Sequence, residues 1–267
     1  MSSKSLLDAF QKIGNENRTA LLTYTVGGDP NADISLEIFK SIANSGADII
    51  ECGLGHGANI GDGGAIQDST YRALSNGIKT DDVFKIIKDF KKEFEQNIII
   101  MTYQNKIMSY GEENFIKKCN ESSVSGIICV DWPWPLNLDF ANKCKASDLT
   151  FIQLLCPTTS DDRLKSILSD AHDVVYYISM LSTTGGKLKV SPKKILQNYN
   201  KIKRLNPKKN LVIGFGITNK TIKSLKSADG LVVGSMLCKT ITNSLKMRQN
   251  PVTKLDKVVY NLKKKIL

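Results

Sequence analysis

Short apolar runs and amphipathic stretches alternate about eight times along this 267-residue chain, and no other feature limits its fold as strongly. The strand-like runs are Thr19–Tyr24, Asp48–Cys52, Asn97–Met101, Gly126–Asp131, Thr150–Leu155, Val174–Ser179, Leu211–Gly214 and Gly230–Val233. Ile98-Ile99-Ile100-Met101 and Leu211-Val212-Ile213 are almost continuously apolar, as expected of parallel strands covered on both faces. Helical patterns fall between and after them, over Ile34–Ala43, Ala65–Asn76, Thr80–Phe94, Glu112–Glu121, Asp161–Asp170, Ser191–Lys203, Lys220–Ser227 and Pro251–Ile266. This pattern predicts an α/β chain whose residues 1–267 form a single (β/α)8 barrel, with an extra helix at the N-terminus. A doubly wound open sheet would call for a GxGxxG turn after the first strand. The chain has Gly27-Gly28-Asp29-Pro30 there instead.

Composition narrows the function classes. No apolar run approaches the roughly 20 residues that span a bilayer, and the first residues lack a signal-peptide core, so the expectation is a cytoplasmic protein without a membrane partner. The six cysteines are scattered with no CxxC pair, and read as reduced thiols acting as small hydrophobes. A net charge of +11 invites a nucleic-acid partner. However, the excess is lysine spread over predicted helix faces and loops, without the arginine and aromatic interleaving of a recognition surface. A solvated basic surface and no nucleic-acid partner follow. The terminal Lys263-Lys264-Lys265 reads as the charged end of a last helix.

In a barrel of this kind the active site lies where the strands end. Glu51 closes the second strand, and Asp62 stands near the far end of the loop Gly53–Gly64, in which six of twelve residues are glycine. Two carboxyls so placed suit acid/base chemistry, although a strand-end glutamate can equally pair with a lysine, and aspartate before glycine is common in turns. Gly214-Phe215-Gly216-Ile217 and Gly234-Ser235 close the seventh and eighth strands. Glycines there let backbone N–H groups approach an anion, helped by a helix N-terminus at Ser235, or they simply turn tight corners. Ser182–Gly186 suits a loop that closes over substrate. His56 has only His172 for company and no ligand spacing, so metal binding is not expected, and His56 reads as a loop side chain facing solvent or substrate.

Taken in order, these residues resemble the tryptophan synthase alpha subunit family over nearly the whole chain. The resemblance rests on Gly28-Asp29-Pro30, Gly46-Ala47-Asp48 leading to Glu51-Cys52-Gly53, Asp62-Gly63 followed by Ala65-Ile66-Gln67, and Arg72-Ala73-Leu74. It continues through Met101-Thr102-Tyr103-Gln104-Asn105, Asp131-x-Pro133, Pro157-Thr158 leading to Arg163-Leu164, Tyr176-Tyr177-Ile178-Ser179 leading to Thr184-Gly185, and the two glycine motifs above. It implies retro-aldol cleavage of indole-3-glycerol phosphate to indole and glyceraldehyde 3-phosphate, without metal, flavin or nucleotide, and transfer of indole to a beta subunit in an alpha2-beta2 assembly. By the same resemblance Glu51 is the acid/base, and Asp62 holds the ring N–H. Tyr24, Tyr103, Ile128, Tyr176 and Phe215 line the indole pocket. Gly185, Gly216, Gly234 and Ser235 bind phosphate, Thr184 meets Asp62 when its loop closes, and Asp131 orders the mouth.

One segment departs. Between Gly53 and Asp62 the family usually carries I-P-F-S-D-P-L-A, whereas this chain has Leu54-Gly55-His56-Gly57-Ala58-Asn59-Ile60-Gly61, and Gly64 replaces a further proline. Met180-Leu181-Ser182-Thr183 also replaces the usual R-S-G-V pattern. Exchanging proline for glycine enlarges the open ensemble by roughly 0.4–1 kcal/mol per site, which predicts a loop that is mobile or partly open without ligand. The departure leaves two other readings: a catalytically weakened subunit acting as an allosteric partner, and another phosphosugar-binding barrel enzyme.

Overall fold

Strand alternation sorts the apolar side chains into two cores. The computed structural model describes residues 5–179, 190–214 and 216–267. Its strands are β1 (Ala20–Val26), β2 (Ile49–Gly53), β3 (Asn97–Thr102), β4 (Gly126–Cys129), β5 (Thr150–Phe151), β6 (Gln153–Leu155), β7 (Val174–Ile178), β8 (Asn210–Gly214) and β9 (Gly230–Val233). They form one parallel sheet in the order β5-β4-β3-β2-β1-β9-β8-β7-β6. Its two edges, β5 and β6, are consecutive pieces of one strand parted by Ile152, whose N–H donates to the Ile127 carbonyl at 2.9 Å. The sheet therefore curls into a nearly closed barrel of eight strands, as the alternation predicts.

Leu22, Tyr24, Ile49, Ile99, Ile128, Ile152, Val174, Tyr176, Val212 and Val232 point inward and fill the barrel. Leu21, Ile50, Cys52, Ile98, Ile100, Ile127, Tyr177, Leu211 and Leu231 point outward to the helices. The N-terminal helix α1 (Leu6–Asn15) packs Leu6, Phe10 and Ile13 into the inner core and closes the end of the barrel where the strands start. A Cβ on Gly126 would meet Leu6, and one on Gly230 would meet Leu22 and Phe10, so both glycines admit this plug.

The outer layer comprises α2 (Ala32–Asn44), α3 (Gly64–Ser75), α4 (Thr80–Phe90), α5 (Gln104–Tyr110), α6 (Glu112–Glu121), α7 (Leu138–Ala146), α8 (Asp161–Asp170), α9 (Pro192–Leu205), α10 (Ser235–Lys246) and α11 (Pro251–Lys263). Two of these, α5 and α7, have no counterpart among the expected helices, and of α10 only the N-terminus at Ser235 was expected. The stretch expected to be helical over Lys220–Ser227 holds only a 3-10 turn at Ile222–Leu225. Lys263 is not merely the charged end of a helix: it is 2.6 Å from Asp48 and lies against Gly46. All six cysteines are free, and five are buried. No helix among the described residues is long and apolar enough to cross a membrane.

Candidate active site

Alternation along β2 aims Glu51 into the barrel, since Ile50 and Cys52 face the helices. It pairs in register with Tyr24 on β1 and Ile99 on β3. The side chain is 1 % exposed, and neither carboxyl oxygen has a hydrogen-bond partner among the described residues. Burial without a partner disfavours the charged form, so the pKa is pushed up to about 8. At neutral pH the group is mainly protonated and has a proton to give.

A cavity of about 530 Å³ opens over this carboxyl. Tyr24, Met101, Tyr176 and Val232 give it apolar walls, and Gly216, Gly234 and Ser235 lie on its polar side. The two tyrosines need the glycines beside them: a Cβ on Gly53 would strike the Tyr24 hydroxyl, and one on Gly214 the Tyr176 hydroxyl. Gly234 precedes α10, and no side chain caps that helix. Its first N–H groups are left for an anion, where the helix dipole also favours negative charge. Lys239 and Lys246, two turns apart on α10, line the same cavity. Neither was foreseen: the sequence marks a helix N-terminus at Ser235 but not the run of that helix on to Lys246.

Asp62 sits beside the cavity rather than in its lining. It is 6 % exposed, and Asn59 Nδ2 donates to its Oδ2 at 3.1 Å. The Tyr103 hydroxyl lies beside the carboxyl and favours its charged form, and it accepts the Gly61 N–H at 3.2 Å. Burial raises the Asp62 pKa, while Asn59 and Tyr103 oppose that rise. His56 stacks on Tyr103, with ring centroids 5.1 Å apart and planes at 22°, and its Nδ1 accepts the Ala58 N–H at 3.1 Å. Asp131 accepts the Gln104 N–H at 2.7 Å and so anchors the start of α5.

Of the other residues expected in the site, Tyr24, Tyr176, Gly216, Gly234 and Ser235 line the cavity with Glu51. Tyr103 is set back with Asp62. Ile128 is fully buried in the inner core, in register with Met101, which does line the cavity. Thr184, Gly185 and Phe215 lie outside the described residues. A further pair stiffens the mouth: Arg72 on α3 grips the buried Asp29 with two hydrogen bonds of 2.9 and 2.7 Å, and reaches Thr242 on α10 at 2.8 Å.

A parallel barrel with a protonated carboxyl in its mouth and an uncapped helix N-terminus across the cavity defines a class: barrel enzymes that hold an anionic substrate and act on it by proton transfer. The particular family follows from comparison. The model of the tryptophan synthase alpha chain matches residues 10–267, and the chain belongs to that family. It is 61% identical over 259 residues to the tryptophan synthase alpha chain of Pelagibacter ubique, covering 97% of both chains. Among solved structures it is similar to tryptophan synthase subunit alpha of Legionella pneumophila, with a TM-score of 0.90, 26% identity and 98% of each chain covered. A chain from a structure of the tryptophan synthase α2β2 complex of Pyrococcus furiosus gives a TM-score of 0.82 at 32% identity, covering 91% of this chain and 97% of that one. Family membership makes the chain a carbon–carbon lyase that cleaves indole-3-glycerol phosphate in tryptophan biosynthesis.

Proposed function

We propose that Glu51 carries both proton transfers of this cleavage, and that Asp62 holds the ring N–H and stabilises the positive charge that develops on the indole ring. Breaking the bond between indole C3 and the side chain would release a carbanion unless C3 is protonated first. Glu51, buried and protonated at neutral pH, gives that proton. The bond electrons then stay with the ring as indole leaves, and the Glu51 carboxylate takes the proton of the side-chain hydroxyl as the aldehyde forms. The proton count balances, and Glu51 ends as it began. C3 protonation places positive charge toward the ring nitrogen, where an ionised Asp62 accepts the N–H. The phosphate lies against Gly216, Gly234 and Ser235 at the start of α10.

The observation that carries this reading is the Glu51 carboxyl, without a hydrogen-bond partner among the described residues and buried at the floor of a cavity that Gly216, Gly234 and Ser235 also line. A structural glutamate at that depth would have found a cation or a donor.

The protein works in the cytoplasm as one barrel domain and passes indole to a beta subunit in an α2β2 assembly. Exposed Ile60, Met108 and Leu136, which follow β2, β3 and β4 in turn, give the mouth an apolar rim for that partner. Steady-state indole release, measured alone and with a beta subunit, tests the proposal. Glu51→Gln is expected to lower kcat by about 10²–10⁴-fold in both settings. No indole from the parent chain in either setting would discard it.

A further inference from the structure

We infer that His56, Asn59 and Gly61 form a brace that fixes the Asp62 carboxylate, Asn59 by a direct hydrogen bond and the other two through Tyr103. The inference rests on the role proposed above for Asp62, and makes Asn59 and His56 positioning residues for the contact with the ring nitrogen.

The three residues are departures from the family pattern, which has phenylalanine, proline and alanine at these positions. Singly, Asn59 in place of proline and, more mildly, Gly61 in place of alanine suggest a loosened loop. In the structure all three converge on one pair of side chains. Asn59 supplies a donor that proline lacks, 3.1 Å from Asp62 Oδ2. Gly61 brings its N–H to the Tyr103 hydroxyl at 3.2 Å, and a Cβ there would stand 3.3 Å from that oxygen and 3.1 Å from Val130 Cγ1, so alanine would force a small retreat. His56 covers the Tyr103 ring by stacking and is itself held by the Ala58 N–H. The Gln67 side-chain amide fixes the Asp62 backbone carbonyl at 2.9 Å.

The physical need is plain. An ionised carboxylate offers about four acceptor sites, and a substrate N–H uses one. On a glycine-rich loop the remaining freedom would let the carboxylate turn away, and misplacement by about 1 Å can cost on the order of 10²-fold in rate. Asn59 fills another site from a fixed direction, and with the neighbouring Tyr103 hydroxyl it favours the ionised form against burial. The titratable groups that face Asp62 from neighbouring elements are Tyr24 on β1, Tyr103 after β3 and Cys238 on α10. Burial raises all three, so none of them titrates in acid.

The test measures kcat and KM for indole release by the full chain from pH 5 to 9. Asn59→Ala is expected to lower kcat about tenfold, with KM within about twofold, and to move the acid limb of the kcat profile upward by about half a unit to one unit. Asn59→Asp, of equal size but adding negative charge, moves it further. His56→Ala lowers kcat, and His56→Phe restores it because the ring still stacks. The phenylalanine variant has no titrating group at 56, so an acid limb that persists in it belongs to Asp62. Acid limbs in Asn59→Ala and Asn59→Asp that coincide with the parent's would overturn the brace, as would a His56→Phe enzyme no better than His56→Ala. Asp62→Asn run alongside separates the two levels: if it is as active as the parent, the role of Asp62 itself fails. If it is inactive while the Asn59 profiles are unmoved, only the brace fails.

Discussion

Asp48, just before β2, and Glu51, within it, stand three residues apart and are treated in opposite ways. Asp48, at the end of the barrel where the strands start, accepts the Leu21 N–H at 2.7 Å and pairs with Arg18 at 2.8 Å and Lys263 at 2.6 Å. Glu51, at the other end, has no hydrogen-bond partner among the described residues. One acid ties α11 to the barrel, and the other is left desolvated where substrate enters. The difference shows how one sheet separates stability from chemistry. Asp48 at the closed end is satisfied, whereas Glu51 at the open end is held in a costly state that substrate can use.

The largest effect expected from breaking this contrast is at Glu51. Its folded-state pKa of about 8 stands above the ordinary 4.5, so the folded protein holds this proton more tightly than the unfolded chain. The associated stability is fully present below pH 4.5 and is lost as pH rises to about 8, at about 1.4 kcal/mol per unit. Glu51→Gln, which cannot ionise, should therefore gain on the parent across that window in denaturant melts, while losing its activity. Parallel stability profiles for the two proteins would show that Glu51 is solvated or paired after all. The activity profile has the same origin: kcat/KM of the parent should fall as pH rises through about 8, because the acid form that starts the reaction is depleted.

Asp48 gives the converse result, and a smaller one. Asp48→Ala leaves Arg18 and Lys263 facing each other in a half-buried site, which should cost about 3 kcal/mol of stability. Indole release measured well below the melting temperature should stay within about twofold of the parent, since the change lies at the far end of the barrel. A loss of stability under about 1 kcal/mol in urea melts would mean that solvent already screens this network.

The same division governs what the sequence revealed. The barrel was legible because strand alternation and buried apolar runs are local signals: Ile49 and Glu51 in, Ile50 and Cys52 out. The helices that escaped notice lack such signals. Leu138–Ala146 begins just beyond Trp132-Pro133-Trp134-Pro135, where the prolines speak for a turn. Ser235–Lys246, expected only at its start, is rich in threonine and serine, which weaken helix propensity, and gains its length from packing Leu237, Cys238 and Ile241 inward. Glu51 and Asp62 were legible as motif residues, but that Glu51 has no hydrogen-bond partner among the described residues is a three-dimensional fact. The glycine count speaks for a mobile loop. The contacts of His56 and Asn59, which composition does not register, act in the opposite direction.

The smallest effect concerns Lys239, and it tests whether the open end recruits its substrate by charge. Lys239 lies about one turn into α10, past the N–H groups proposed for the phosphate, and it is exposed while still lining the cavity. An exposed cation acts over roughly a Debye length, about 8 Å at physiological ionic strength, so its contribution is modest and screened by salt. Lys239→Ala should raise KM for indole-3-glycerol phosphate about threefold at low ionic strength and leave kcat nearly unchanged. The difference should vanish in high salt, whereas a lysine that bonds the phosphate directly would keep much of its effect there. Lys246, two turns further along the helix, should show the same pattern more weakly. If both substitutions leave KM unchanged at low salt, recognition of the phosphate at this end rests on the backbone groups of Gly216, Gly234 and Ser235 alone, and the contrast between the two ends of the barrel sharpens. Lysine charge would then serve pairing at the closed end and take no part in holding the phosphate at the open one.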